Sequence, residues 1–383
     1  LLLASGNLTE SDEALQRALL ASPDNAELRA RMASRKLLNG FIDEAQTLLD
    51  ETPLGIDHAL LHVIEGRLRL ARADRERDGT GETDANLLGE ALTAFNDGLR
   101  LDRECGVAWL GLARTKRLLG DLQGAEEDIA RALRLLPDED PSSSSEAALL
   151  ALDREDISAA TKHIEAAAIH GNSATISYVR GNIAARTGSL DKALMQFDEA
   201  LSADPGHIRA RLNRTSILMA LGEGKKVLDD TEILLDLAPS LTLARLRRAE
   251  GFMLLSEWDN ARDDLKMVLE AAPHHYHALT QLGSCYISLK RPERAEGPLN
   301  EAIRLNQNHA AAWHQRGLLY LELKEMDAAF DDFQAAIRCD ANHLDARLHV
   351  AATLHQQEQH EEAAAAWRAV LTIDPDHTVA RTR

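Results

Sequence analysis

Aromatic residues make up only 4% of this 383-residue chain, and its three cysteines, Cys105, Cys285 and Cys339, stand far apart. With so few rings, the 45% apolar content rests heavily on alanine, which favours helices in close contact over a core of bulky side chains. Scattered cysteines without a CxxC pair exclude a disulfide framework and a thiolate metal knuckle, and they fit a reducing compartment. No run of 18 apolar residues is present, so no direct membrane insertion by a spanning helix is expected. Basic residues are outnumbered, 43 Lys and Arg against 62 Asp and Glu, for a net charge of −19. A general nucleic-acid binder needs the opposite sign, so that class is set aside. Catalytic signatures are missing too: there is no GxSxG, GxxxxGK[ST], HExxH or dinucleotide fingerprint. No catalytic residue, no cofactor and no enzyme activity are expected of these residues.

What the chain does have is a period. Residues 310–343 read as two amphipathic helices, about 311–323 and 326–339, joined by a polar turn. Small residues (Gly317, Ala329, Ala336) mark where the helices approach, and large ones (Trp313, Tyr320, Phe333) lie a turn away as core. Gly317 and Ala329 are expected to face each other at the crossing. The first small position recurs every 34 residues as Ala113, Ala147, Gly181, Thr215, Ala249, Gly283 and Gly317. The second recurs as Ala125, Ala159, Ala193, Ala261, Ala295, Ala329 and Ala363. Pro137, Pro205, Pro239, Pro273 and Pro375 share one position, where proline stops a second helix. A lone helical hairpin cannot bury its apolar face, so such units must stack.

These residues resemble the tetratricopeptide repeat family. The match is carried by Leu279, Leu282, Gly283, Tyr286, Ala295, Leu299 and Ala302 in one unit, and by Trp313, Gly317, Tyr320, Ala329, Phe333 and Ala336 in another. The resemblance implies an all-α, right-handed superhelical solenoid of stacked helix–turn–helix repeats forming one domain over residues 1–383. Complete units are expected at 26–58, 59–105, 106–139, 140–173, 174–207, 208–241, 242–275, 276–309, 310–343 and 344–377. Partial ones are expected at 1–25 and 378–383. The opening LLLAS reads as the end of a severed helix, and both termini read as cuts through repeats of a longer protein. Residues 72–86, charged and Gly-bearing, are surplus to the unit at 59–105 and read as a longer first helix plus a mobile, protease-sensitive loop. The PSSSS run after Asp140 should delay its helix until about Ser145 and leave a weak joint. Paired acids such as Asp229–Asp230, Asp263–Asp264 and Asp331–Asp332 read as a solvated outer face.

In this family the first helices line a concave groove. Two residues before the small position stand Asn213, Arg247, Gln281, Gln315 and His349, a row of hydrogen-bonding side chains similar to those that hold an extended peptide backbone. Some relatives grip a terminal carboxylate with two Lys, two Asn and an Arg. Asn182, Asn213 and Arg247 match the latter three, while Tyr178 and Leu243 replace the lysines; nearby Arg209 could supply charge. The candidate peptide-binding set is therefore Asn182, Arg209, Asn213, Arg247, Gln281, Gln315 and His349. His274, His275 and His277 have ligand-like spacing, but His207, His309, His343 and His377 recur in the same turn, so a turn preference is read there and no metal. Arg180, Arg214, Arg248 and Arg316 are expected to form interhelical ion pairs. The function implied is a non-catalytic, cytoplasmic scaffold binding a peptide or protein segment, alone or within a multi-protein complex. The alternative is the substrate-recruiting arm of a larger enzyme or of a secretion or polysaccharide-export machine.

Overall fold

The computed structural model describes residues 8–38, 41–53, 57–81, 83–137, 140–169 and 171–382. Among these the regular elements are helices and no strand occurs. In chain order they are α1 (Leu8–Ala21), α2 (Ala26–Leu38), α3 (Ile42–Asp50), α4 (Ala59–Thr80), α5 (Ala85–Leu101), α6 (Gly106–Leu118) and α7 (Leu122–Leu135). Then follow α8 (Pro141–Asp153), α9 (Ile157–Ala168), α10 (Ala174–Arg186), α11 (Leu190–Ala203), α12 (Ile208–Ala220), α13 (Gly224–Leu237) and α14 (Thr242–Leu254). The last are α15 (Trp258–Ala271), α16 (Tyr276–Ser288), α17 (Glu296–Leu305), α18 (Ala310–Glu322), α19 (Met326–Cys339), α20 (Leu344–Gln356), α21 (His360–Ile373) and α22 (Thr378–Thr382). The architecture is an all-α helical-repeat solenoid. Two compact units divide it: Leu1–Ile217 with Leu237–Leu241, and Leu218–Asp236 with Thr242–Arg383. The opening LLLAS lies outside the described residues.

Each hairpin closes on a small residue of its first helix. A Cβ placed on Gly317 would sit 2.6 Å from the Phe333 ring, and one on Gly181 2.5 Å from Phe197. Gly317 thus faces the ring of Phe333 rather than Ala329, which is itself fully buried. Glycine here makes room for an aromatic ring, and burying that ring contributes about 2–3 kcal/mol. Trp313, expected in the core, is only half-buried, as is Trp109 at the equivalent position of its unit. Trp109 and Trp313 each donate an indole N–H to a turn carbonyl, of Arg103 and Gln307, and each carries an arginine on its face, Arg131 at 4.4 Å and Arg316 at 4.9 Å.

Three other expectations need correction. The PSSSS run does not delay its helix: α8 starts at Pro141, with Asp140 as cap accepting from the Ser142 N–H at 2.9 Å. That start shifts the unit by one residue. Its fully buried small positions are Ala148, Ala160 and Ala167, while Ala159 is half-exposed. Residues 72–80 are helix throughout, closed by Gly81 at φ 88°. Asp84 then caps α5, accepting from the Asn86 N–H, so the expected mobile loop shrinks to a short connection in a lengthened hairpin. Finally, one acid of each pair is buried, not solvated: Asp230, Asp264 and Asp332 are 2–4% exposed. Ion-pairing arginines meet Asp264 and Asp332. Arg248 grips Asp264 and Arg316 grips Asp332, each through two bonds of 2.6–2.8 Å; Arg180 donates to Glu165 and Arg214 to Asp198, acids on the preceding hairpins.

The corner between first and second helices adopts a left-handed conformation. Gly120, Gly188 and Gly222 occupy it in some units, but Glu155, Ser256, Lys290, Lys324 and Glu358 do so in others, at φ 57–65°. A side chain there crowds its own carbonyl. Replacing the exposed Lys324 by glycine is expected to raise stability by about 0.5–1 kcal/mol, seen as a later midpoint in urea unfolding; an earlier midpoint would count against strain at this corner.

Candidate functional site

In the first unit, α6, α8, α10 and α12 turn one face toward a common hollow, and the long α4 reaches it as well. Two cavities of ≈ 460 and ≈ 550 Å³ share Arg117, Leu149, Tyr178 and Arg209 in their walls. In a chain of net charge −19, this wall is conspicuously basic: Arg77, Arg117, Arg186 and Arg209 line the first cavity, and Arg114 joins in the second. Asn182 and Asn213 sit among them, the Asn213 amide donating to the Asn182 carbonyl oxygen at 2.7 Å. Of the sequence-derived candidates, Asn182 of α10 and Arg209 and Asn213 of α12 line this cavity, whereas Arg247, the third member of the carboxylate set, belongs to the second unit.

The arginines are held in place by acids and carbonyls. Arg117 donates to Glu146 at 2.5 Å and Asp153 at 2.8 Å, and Arg186 to the Leu152 carbonyl at 2.6 Å. Burial lowers the pKa of Arg117, but contact with Glu146 and Asp153 outweighs it and the net shift is upward. Arg209 meets Asp74 at 3.5 Å and Asp78 at 3.2 Å, and Asp74 also pairs with Arg77 and Arg114. For Arg77, burial and then the repulsion of Arg209 lower its pKa despite Asp74 and Asp78, and its Nε is buried without a partner. The Tyr178 ring lies tilted against that of His207, centroids 4.9 Å apart, and the pKa of His207 falls through burial and then through Arg209. The hollow thus offers fixed guanidinium forks, two side-chain amides and an aromatic face, the donors that suit carboxylates and peptide carbonyls.

The remaining candidates lie in the second unit. Arg247 donates to Glu250 at 2.8 Å, and Glu250 also accepts from Gln281 at 2.7 Å and contacts His277 at 3.2 Å. Burial raises the pKa of Glu250, but His277, Arg247 and Gln281 together bring it below the usual glutamate value. Gln315 is half-buried on α18. His349 lies flat on Phe333, ring centroids 4.7 Å apart, and 5.4 Å from His314. Of this row, Arg247 and Gln281 are joined through Glu250. Glu250 itself, Arg117 and Arg186 escaped sequence reasoning. A charged residue beside the small position of α14 was the available signal for Glu250. The recurrent turn histidines cap helices: the Nδ1 atoms of His207, His275, His343 and His377 accept backbone N–H groups three residues on, at 3.1–3.3 Å. Among the described residues no three His, Cys, Asp or Glu side chains converge as a metal-ligand set, and no helix is long and apolar enough to cross a membrane.

Three models of the tetratricopeptide repeat match the chain, at residues 83–143 and 145–208, 253–317 and 310–343, together more than half its length. Among curated proteins, no sequence matches it. Of solved structures, a tetratricopeptide repeat protein from Parabacteroides merdae is similar at 19% identity and TM-score 0.50, covering 65% of this chain and 98% of that one. The anaphase-promoting-complex hetero-tetramer Cut9–Hcn1 is similar at 14% identity and TM-score 0.50, covering 100% of this chain and 93% of that one. At these identities the likeness speaks for the fold alone. The helical hairpins, their 34-residue period and the matched repeats make this chain a member of the tetratricopeptide repeat family, whose repeats form scaffolds for protein–protein interaction.

Proposed function

We propose that the chain binds an acidic segment of a protein partner in the first-helix hollow of its first unit. Asn182 and Asn213 would serve as hydrogen-bonding readers of polar groups, with Arg186 and Arg209 as carboxylate readers. The observation that carries this reading is the charge of the hollow. A chain with 19 more negative than positive groups gathers Arg77, Arg117, Arg186 and Arg209 around one cavity. Asp74, Asp78, Glu146 and Asp153 offset much of this charge, but Arg186 is held by a carbonyl, and guanidinium forks fixed in a partly enclosed, low-dielectric hollow are placed to receive an incoming acid. The Arg247–Glu250–Gln281 network of the second unit sets a single arginine beside a buried glutamate, so it ranks below the hollow, where four arginines line one cavity.

An array of extended peptides, acidic and neutral, titrated by fluorescence anisotropy tests the proposal. Acidic peptides should bind, with affinity falling as salt rises. Arg209→Ala should weaken them about tenfold and Asn213→Ala about fivefold, while Glu127→Ala on the exposed face of α7 should leave them unchanged. Equal binding of neutral and acidic peptides, or loss through Glu127→Ala alone, would remove the hollow as the site.

A further inference from the structure

The lengthened α4 does more than extend a hairpin. Its last turns run into the basic hollow and place Asp74 and Asp78, one helical turn apart, against arginines of distant hairpins. Asp74 pairs with Arg114 of α6, and both acids meet Arg209 of α12, 135 residues away in sequence for Asp74. Among the described residues, these two acids are the ion-pair partners of Arg114 and Arg209, whereas Arg117 is served by Glu146 and Asp153. Beyond α4, the Ser240 hydroxyl donates to the Gly79 carbonyl at 3.1 Å. The tie is almost wholly polar: the stretch from Asp74 to Thr80, DRERDGT, contains no apolar side chain. A contact made of partly screened charges exchanges readily for another of the same kind, because little apolar burial opposes release.

We propose that the end of α4 is a resident pseudo-ligand. It holds the place of a helical segment of a partner protein that carries two carboxylates one turn apart, and such a segment binds by taking over Arg114 and Arg209. This rests on the hollow being the recognition site, and it adds the ligand's shape, a helix, and the state of the free protein, self-occupied. The charge pattern of the partner is written in the chain itself, since Asp74 and Asp78 already satisfy the arginines at that spacing. Binding therefore opens the hairpin end, freeing the backbone around Arg75 and exposing the Arg77 side chain.

The probe is a hydrocarbon-stapled helical peptide of Ala and Gln with two Asp four residues apart, beside a twin with two Asn. Against the full chain, the Asp74→Asn/Asp78→Asn double variant should bind the diacid helix at least about tenfold more tightly than wild type. Adding Arg209→Gln should abolish the gain, and the Asn twin should bind neither protein. In wild type, saturating diacid peptide should speed tryptic cleavage after Arg75 and Arg77, a readout that needs no variant to fold. Equal affinity of wild type and double variant, with unchanged cleavage, overturns the pseudo-ligand. If extended acidic peptides still bind through Arg209 in that case, the hollow survives as the recognition site. If no acidic peptide, helical or extended, binds any of these proteins, both readings fall.

Discussion

Lowering the pH from 7.5 to 4 is expected to cost the second unit about 3 kcal/mol of stability through one side chain, His314. Its ring lies on α18, 8% exposed, with its centroid 4.8 Å from that of His343, 5.4 Å from His349 and 5.6 Å from Phe333. Its Nε2 is buried without a hydrogen-bond partner. Burial first, and the neighbouring His343 and His349 second, push its pKa down from 6.5 to about 4, against a small upward pull from Asp345. A group whose pKa is depressed by folding takes up its proton more readily in the unfolded chain. Its full contribution is therefore present above pH 6.5 and drains away as the pH falls toward 4. His349 shifts in the same direction, chiefly through burial, and adds to the effect. Carboxylates titrate over the same range, so the measurement is a difference: urea unfolding of wild type and His314→Gln at both pH values. The variant should lose about 3 kcal/mol less than wild type on acidification. Identical losses would mean that this imidazole titrates freely in the folded protein.

The helices were legible because the period is strict and local. Pro205, Pro239 and Pro273 each stand two residues past the end of a second helix, and Gly181, Gly283 and Gly317 each mark a first helix at its close approach. What escaped were features that period cannot encode. The one-residue shift of α8 follows from Asp140–Pro141, a cap and a first-turn proline whose local preference overrides the repeat. In the Asp263–Asp264 and Asp331–Asp332 pairs, the buried member is set by which side of its helix meets an arginine on the first helix, and composition averages that away. Within the candidate site, Asn182 and Asn213 could be paired from sequence because neighbouring repeats place them side by side. The contact of Asp74 and Asp78 with Arg209 could not. It joins a unique extension to a repeat far along the chain, and neither period nor propensity reports a contact of that kind.

Two neighbouring aspartates give the sharpest test of that burial pattern. Asp332→Ala is expected to destabilise the second unit by about 2–4 kcal/mol, and Asp331→Ala by no more than about 0.5. Asp332 has a side chain 6% exposed and accepts both Nε and Nη2 of Arg316, at 2.7 and 2.8 Å. Arg316 is itself wedged between the faces of Trp313 and Tyr320 and donates a further bond to Asn300 at 2.7 Å. Removing the carboxylate leaves a guanidinium that is only 18% exposed without its counter-charge, and the rings prevent it from swinging out to water at little cost. Asp331, one residue earlier, points to solvent. Asp332→Asn keeps the shape and part of the hydrogen bonding, so it should fall between the two. The three variants melted beside wild type should therefore rank Asp331→Ala, Asp332→Asn, Asp332→Ala in rising loss. Were the two alanine variants to melt together, the Arg316–Asp332 pair would be spectator rather than support. The equivalent Arg248–Asp264 pair would then lose its claim as well, because the same geometry recurs there with bonds of 2.6 and 2.7 Å.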